Sequence, residues 1–341
     1  MSEGPVYGVV GEQVRSVEPG DLPALLELAG SAPYAPLRYL ALFGHPDVAE
    51  ADQRDRTASR LAGPGQHLLL EDGGRVRGQV SVVPVDDLTG HFGTPFWDVG
   101  PVVSDPPGGP ERLDVATRLL RAAVDGPEGL LVLRVEGDDR ATLLAAQECG
   151  FRVMENSLTY VNDLDRAAKN PDPESPDIEL HRIGIDPPIP SEAFDEVRVG
   201  ADQLTEDHYH ADPRLPDDLC NALYRRLLDR GLAGEGADAL ILRMHEDRII
   251  GLGIWRHWSH LERHGVSIAG NGFGFRAFYA PPGSDRFTAF ICNNSLTGNR
   301  LLEWTTQSTN YPMVNMICSQ RSIRLCRSSY VLHRWSDSAW A

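Results

Sequence analysis

Three groups of residues have the types and spacing that chemistry needs. His208 and His210 flank Tyr209, so on an extended segment both imidazoles point to one face, where either could serve as a base or a hydroxyl donor near neutral pH. Arg276 and Arg286 bracket the Pro281-Pro282-Gly283-Ser284 loop and suit an anion held through paired N–H donors. Asp114 stands in the first turn of a helix opened by Pro106-Pro107-Gly108-Gly109-Pro110, a position that would let it take a proton from an amine. Each has a plainer reading. Surface histidines are common, the arginines have many acids to pair with, and a first-turn carboxylate is favourable through the helix dipole alone. His257, His260 and His264 lack a metal-ligand spacing, and no metal is expected. Ser284 has no Gly-x-Ser-x-Gly context, and Cys318 and Cys326 lack the basic or helix-start setting of a reactive thiolate.

The elements that must position these residues come in two sets. In the first set, a strand at Tyr7 to Val17 precedes a helix from Leu22 to Ala29 and a second helical region from Leu37 to Phe43. A polar, Asp/Arg-rich segment then runs to Arg60. A hairpin follows, from His67 through Asp72-Gly73-Gly74 to Val85, then a strand from Phe96 to Val103. The set closes with helix Glu111 to Val124, strand Leu130 to Val135, helix Arg140 to Glu148 and strand Ser157 to Val161. In the second set, strand Ile178 to Ile183, helix Asp217 to Arg230 and a hairpin from Ala239 to Trp255 lead to strand Phe273 to Tyr279. Helix Asp285 to Asn293, strand Leu301 to Thr309, helix Met313 to Gln320 and a last strand ending in His333-Arg334-Trp335 complete it. Gly78 and Gly251, Pro107-Gly108 and Pro282-Gly283, Asp139 and Asn310, and Ser157 and Ser329 correspond at a nearly constant offset of about 172 residues, the signature of a duplication.

The expected fold is therefore α/β in two tandem domains, each a mixed twisted sheet flanked by helices. The boundaries are 1–162 and 178–341, joined by a Pro/Asp-rich linker at 163–177. A length of 341 residues suits two domains. The net charge of −17 argues against nucleic acid or an anionic membrane as partner. The five cysteines form no CxxC pair, the N-terminus shows no signal pattern, and no apolar run reaches the ~18 residues of a membrane span. A reduced, cytoplasmic protein is expected.

The run Leu301-Leu302-Glu303-Trp304-Thr305-Thr306-Gln307-Ser308-Thr309-Asn310-Tyr311-Pro312, continuing to Ser329-Tyr330-Val331-Leu332-His333-Arg334-Trp335, resembles the last part of the GCN5-related N-acetyltransferase (GNAT) fold. His208 to Pro216, before a helix containing Tyr224, resembles the acceptor-side segment of the family members that acetylate amino groups of nucleotide-linked dideoxy sugars. The resemblance implies two neighbouring strands that splay apart around an acyl-CoA thioester, and a glycine loop that holds its pyrophosphate at a helix start. It further implies that a carboxylate, often on the fourth strand, or an ordered water takes the amine proton, and that a tyrosine on the last helix protonates the leaving thiolate. On that basis Asp98, Asp114, His208 and His210 are candidate catalytic residues. Gly108, Gly109, Arg112, Gly283, Ser284 and Arg286 are candidates for holding acetyl-CoA. Trp97, Arg276, Gln307, Asn310, Tyr330 and His333 are candidate substrate contacts.

Both phosphate loops depart from the family pattern. Gly108-Gly109-Pro110-Glu111-Arg112 and Gly283-Ser284-Asp285-Arg286 lack its glycine spacing, and each brings a carboxylate near the anion's place. The tyrosine positions hold Ala146 and Ile317, with Cys318 beside the second. Three readings stay open. The first is an N-acyltransferase acting on the amine of a sugar nucleotide or amino-acid-like metabolite in specialised metabolism. The second is a CoA-independent GNAT fold that closes a ring on a small amine as an anionic group leaves, with Asp98 or Asp114 as base in one cleft and Arg112 or Arg286 as clamp. The third is a non-catalytic subunit that binds a partner enzyme.

Overall fold

The structure, a computed structural model, describes residues 12–106, 108–167, 179–182, 194–195, 198–199, 202, 205–233, 239–245, 248–276, 299–319 and 322–337. Two compact units divide the chain. Unit 1 comprises residues 1–156 with 328–341, and unit 2 comprises residues 157–327.

Unit 1 starts with strand β1 (Glu12–Ser16) and helix α1 (Leu22–Gly30), which buries Leu25, Leu28 and Ala29 at helical spacing. A 3-10 turn at Arg38–Phe43 leads to helix α2 (Val48–Leu61). The hairpin pairs β2 (Gln66–Asp72) with β3 (Arg75–Pro84), and helix α3 (Asp86–Phe92) precedes the short strands β4 (Phe96–Val99) and β5 (Val103–Ser104). Helix α4 (Gly109–Ala123), strand β6 (Leu130–Glu136) and helix α5 (Arg140–Glu148) follow. The strand order is β1-β2-β3-β4-β6 and then β13 (Ile323–Trp335), with β5 on β3. Val80, Val82, Val99, Leu131 and Leu133 of the sheet pack against Val115, Leu119 and Leu120 of α4 and Ala145 and Ala146 of α5. Helix α4 lies so close that a Cβ on Gly78 would stand 2.7 Å from Val115 and 2.8 Å from the Val103 carbonyl.

Unit 2 holds the strands β7 (Arg152–Asp163, from residue 157 on), β8 (Glu179–Arg182), β9 (Ala239–His245), β10 (Arg248–His257), β11 (Ile268–Arg276) and β12 (Leu301–Gln307) in the order β7-β12-β11-β10-β9-β8. Its helices include α6 (Leu164–Ala167), α7 (Asp217–Leu232) and α8 (Tyr311–Cys318). Tyr160, Trp255, Ala269, Leu302, Trp304 and Ile317 form its core, with Met313 and Met316 of α8 against them.

The two halves exchange their last strands. Ser329 to Trp335, at the end of the second half, pairs with Glu136 to Leu130 of unit 1. Ser157 to Asp163, at the end of the first half, pairs with Gln307 to Leu301 of unit 2. The corresponding serines, Ser157 and Ser329, thus sit in each other's sheets. Of the candidate substrate contacts, Tyr330 and His333 accordingly belong to unit 1, while Gln307 and Asn310 belong to unit 2. Asp139 and Asn310 keep their correspondence: each caps its helix by accepting the backbone N–H three residues on, from Thr142 and Met313.

The segment before Arg60, read as merely polar, is helix α2. Its buried face carries Asp52, Gln53 and Thr57 alongside Val48 and Ala49, so no apolar stripe announces it. Among the described residues, no helix is long and apolar enough to cross a membrane, and no cluster of three or more His, Cys, Asp or Glu could hold a metal.

Candidate functional site

In each unit a pair of parallel strands starts together and then parts. In unit 1, β4 and β6 are in register from Phe96–Leu130 to Val99–Leu133. The chain then breaks at Gly100-Pro101 and resumes as β5, which pairs with β3 instead. Strand β6 runs on to Glu136 beside β13. The opening between the diverging strands is bridged by Arg112. From the first turn of α4 its guanidinium donates to Ser104 Oγ and, at 3.4 Å, to the Val102 carbonyl on one side. On the other it meets both oxygens of Asp139, with Nε–Oδ1 at 3.0 Å, and Thr142 Oγ1 at 3.2 Å. The Tyr34 ring lies 4.7 Å from the guanidinium carbon. The Arg112 and Asp139 side chains are 2% and 5% exposed. Arg112, a candidate anion clamp, therefore has its donors engaged inside unit 1, and a thioester does not fit where the guanidinium lies.

The other candidates of unit 1 are dispersed. Asp98 points away from the α4 side of the sheet, because its neighbours Trp97 and Val99 pack on that side, and pairs with Arg60 of α2 at 2.6 Å. Asp114 is exposed on α4, with Arg118 at 3.8 Å. The two carboxylates therefore lie on opposite faces and do not share the single cleft expected of them. Trp97 donates its indole N–H to the Glu128 carbonyl at 2.8 Å. Gly108 caps α4 in extended backbone, and Gly109 takes a φ of 78°, the left-handed region that favours glycine. Glu111 is exposed and 3.6 Å from Arg77.

Unit 2 parts its strands differently. Strands β11 and β12 run parallel from Ile268–Leu301 to Gly270–Glu303, and the ladder stops there. Beyond it β11 pairs with β10, with Asn271 opposite Trp255 and Phe273 opposite Ile254, so Gly272 is an extra residue and the strand bulges. Bulges of this kind re-aim the backbone and accompany active sites. Trp255 and Trp304 stand on the strands that flank β11. Strands two apart lie roughly 9.5 Å from each other, yet the two indole centroids are 4.6 Å apart with the rings at 86°, so the side chains reach towards each other across β11. They are 1% and 3% exposed, and neither indole N–H has a hydrogen-bond acceptor among the described residues.

Two further residues flank this point. Glu303, at the last rung of the ladder, is buried at 9% exposure and faces the side of the sheet opposite Trp304. Tyr160, brought in by the exchanged strand, is cross-strand from Trp304. Its hydroxyl lies 3.9 Å from Cys318 Sγ, beside the buried Ile317 that occupies the expected tyrosine position. Burial, with a lesser contribution from Cys318, pushes the Tyr160 phenol up to about 12.

The remaining candidates of this half serve local structure or fall elsewhere. His208 and His210 do not sit on an extended segment. Asp207 Oδ1 accepts the backbone N–H groups of Tyr209 at 2.7 Å and His210 at 3.2 Å, which folds the segment into a turn. His210 then has Nδ1 2.5 Å from Asp207 Oδ2 and Nε2 3.1 Å from Asn221 Oδ1, with its side chain 5% exposed. His208 is buried, its ring 3.9 Å from that of Tyr209. Gln307 ends β12 opposite Ser157, Asn310 caps α8, and Arg276 ends β11 opposite Gly251. Tyr330 packs on the core of unit 1, and His333 is fully buried there. Gly283, Ser284 and Arg286 lie outside the described residues. Sequence reasoning passed over Trp255, Trp304, Glu303 and Tyr160 because they read as ordinary strand positions. The signal that could have marked the place is Asn271-Gly272-Phe273-Gly274, glycines inside a strand.

No protein-family model and no curated protein matches the chain. Among solved structures it is similar to a GCN5-related N-acetyltransferase from Sphaerobacter thermophilus, at 14% identity and a TM-score of 0.58, over 95% of this chain and 96% of that one. It is also similar to a tandem GNAT protein from the clavulanic acid biosynthesis pathway, at 15% identity and a TM-score of 0.51, over 95% of this chain and 98% of that one. The fold is that of a tandem GNAT protein.

Proposed function

We propose that the protein is an N-acyltransferase with one acyl-CoA site per chain, in unit 2. The observation that carries this reading is the coincidence, at Gly270–Glu303, of the end of a parallel ladder, a bulge and two buried indole N–H groups with no acceptor among the described residues. An acyl-CoA supplies a thioester carbonyl for an amine to attack, with the thiolate as leaving group. This chain supplies the proton transfers. Glu303, on the face away from α8, takes the proton of the incoming amine. Tyr160 returns one to the thiolate, replacing the tyrosine that α8 lacks. In unit 1 the Arg112–Asp139 bridge occupies the equivalent opening, which supports a structural role for that half.

For the acceptor we propose the amine of a nucleotide-linked sugar or an amino-acid-like metabolite, within specialised metabolism. The support is the resemblance of the second half to the amino-sugar enzymes, together with an acidic chain that suits a cationic amine better than a polyanion. The ring-closure alternative draws no support from Asp98, which is paired with Arg60, or from Asp114, which is exposed beside Arg118. Calorimetric titration with acetyl-CoA tests the reading. One site per chain is the expected result, and an absence of binding, or two equal sites, refutes it.

A further inference from the structure

We infer that the indole N–H groups of Trp255 and Trp304 bind the carbonyl oxygen of the acyl group in unit 2, an inference that rests on the acyltransferase reading above. Buried tryptophans ordinarily place their N–H on an acceptor. Even Trp97 of the same chain, which is only half-buried, does so, on the Glu128 carbonyl at 2.8 Å. Among the described residues Trp255 and Trp304 find no acceptor, although both are more than nine-tenths buried. Their perpendicular contact satisfies at most one of them, because in a T-shaped pair one edge meets the other ring's face. Among the described residues at least one buried donor is left without an acceptor, which costs stability.

Position and surroundings name the missing acceptor. Trp255 is opposite Asn271 at the bulge and Trp304 follows the last rung of the β11–β12 ladder, so both stand on strands at the point where β11 leaves β12. Apart from Tyr160, their neighbours are apolar: Ala269, Leu302, Ile317, Met313 and Met316. An anionic oxygen would be desolvated there without a cation, whereas an uncharged carbonyl is matched by neutral donors. The chemistry fits the thioester carbonyl of an uncharged acyl group, and fits neither a pyrophosphate nor an acyl carboxylate.

The test is the 15N indole spectrum of the full chain, which has six tryptophans, with Trp255→Phe and Trp304→Phe used to assign two signals. Acetyl-CoA is expected to move at least one of these signals downfield, and CoA, which has no acyl carbonyl, is not. In calorimetry, the Phe variant at the affected position should lose about 5–10-fold in affinity for acetyl-CoA and keep that for CoA. If the wild-type chain binds acetyl-CoA with neither signal displaced relative to CoA, the inference is overturned and the acyltransferase reading survives. If the wild-type chain binds neither ligand, both fall. Should one variant fail to fold, the other still assigns its own signal, and the wild-type shift decides.

Discussion

Arg112 and Asp139 join the two strands of unit 1 that would otherwise stand apart. The guanidinium donates to Ser104 beside one strand and to the Asp139 carboxylate after the other, with both side chains almost fully buried. Unit 2 has the same divergence at Gly270–Glu303 and meets it with a bulge and two indoles. One fold thus presents a bridged opening in one half and the ingredients of a carbonyl site in the other.

Breaking the bridge should destabilise unit 1 without touching acyl-CoA binding. Removing one partner of a buried pair typically costs about 3–5 kcal/mol, because the other charge is left uncompensated. Arg112→Met and Asp139→Asn should each show that loss in urea unfolding, and Arg112→Met with Asp139→Leu should recover part of it. Acetyl-CoA affinity should equal that of the wild type in all three. A fall in affinity confined to these variants would place the acyl site in unit 1 instead.

Glu303→Gln should lower kcat by about 10²- to 10⁴-fold, the usual contribution of a positioned base, with acetyl-CoA affinity unchanged. Tyr160→Phe should lower kcat and leave binding intact. Steady-state kinetics with an amine acceptor, set beside calorimetry, separate the two effects. Unchanged turnover in Glu303→Gln would remove that residue from the mechanism.

Stability should decline in alkaline solution earlier than the lysine-poor surface suggests. Burial holds the Cys220 thiol up at about 12, with nearby acids adding to the effect, and holds the Cys326 thiol up at about 11. The Tyr160 phenol stands at about 12. Each pKa is raised on folding, so the unfolded chain loses these protons first. The stabilisation is complete below the unfolded values, near 9 for the thiols and 10 for the phenol, and is lost as pH rises toward the folded ones. Melting temperature followed from pH 8 to 12 should therefore fall, and Cys220→Ala should flatten its onset.

Removing residues 328–341 should loosen the first half of the chain rather than the second. Ser329 to Trp335 forms a strand of unit 1 beside β6, and its loss exposes that strand's ladder edge. Hydrogen exchange should show protection lost at Leu130 to Glu136 and retained at Leu301 to Gln307, whose partner is β7. Loss confined to Leu301 to Gln307 would contradict the exchanged pairing.

Periodicity and turn chemistry by themselves determined most of the elements. Helix α5 falls at Arg140 to Glu148 as expected, and the β2–β3 hairpin turns at Gly73-Gly74 as its glycines predict. The duplication was legible too, since Asp139 and Asn310 cap their helices in the same way. Helix α2 escaped because its buried face is polar, and pattern reading depends on apolar contrast. Only the tertiary structure decided where the last strands go. The alternation that forms a strand states which face is buried and not which sheet it joins, so Ser157 and Ser329 could change places unseen. The same holds for the site. Arg112 reads as an available cation until Asp139 is brought against it, and Trp255 and Trp304 read as core until their N–H groups are found without acceptors among the described residues. Charge pairing and hydrogen-bond satisfaction belong to contacts between residues far apart in the chain, and folding alone makes those contacts.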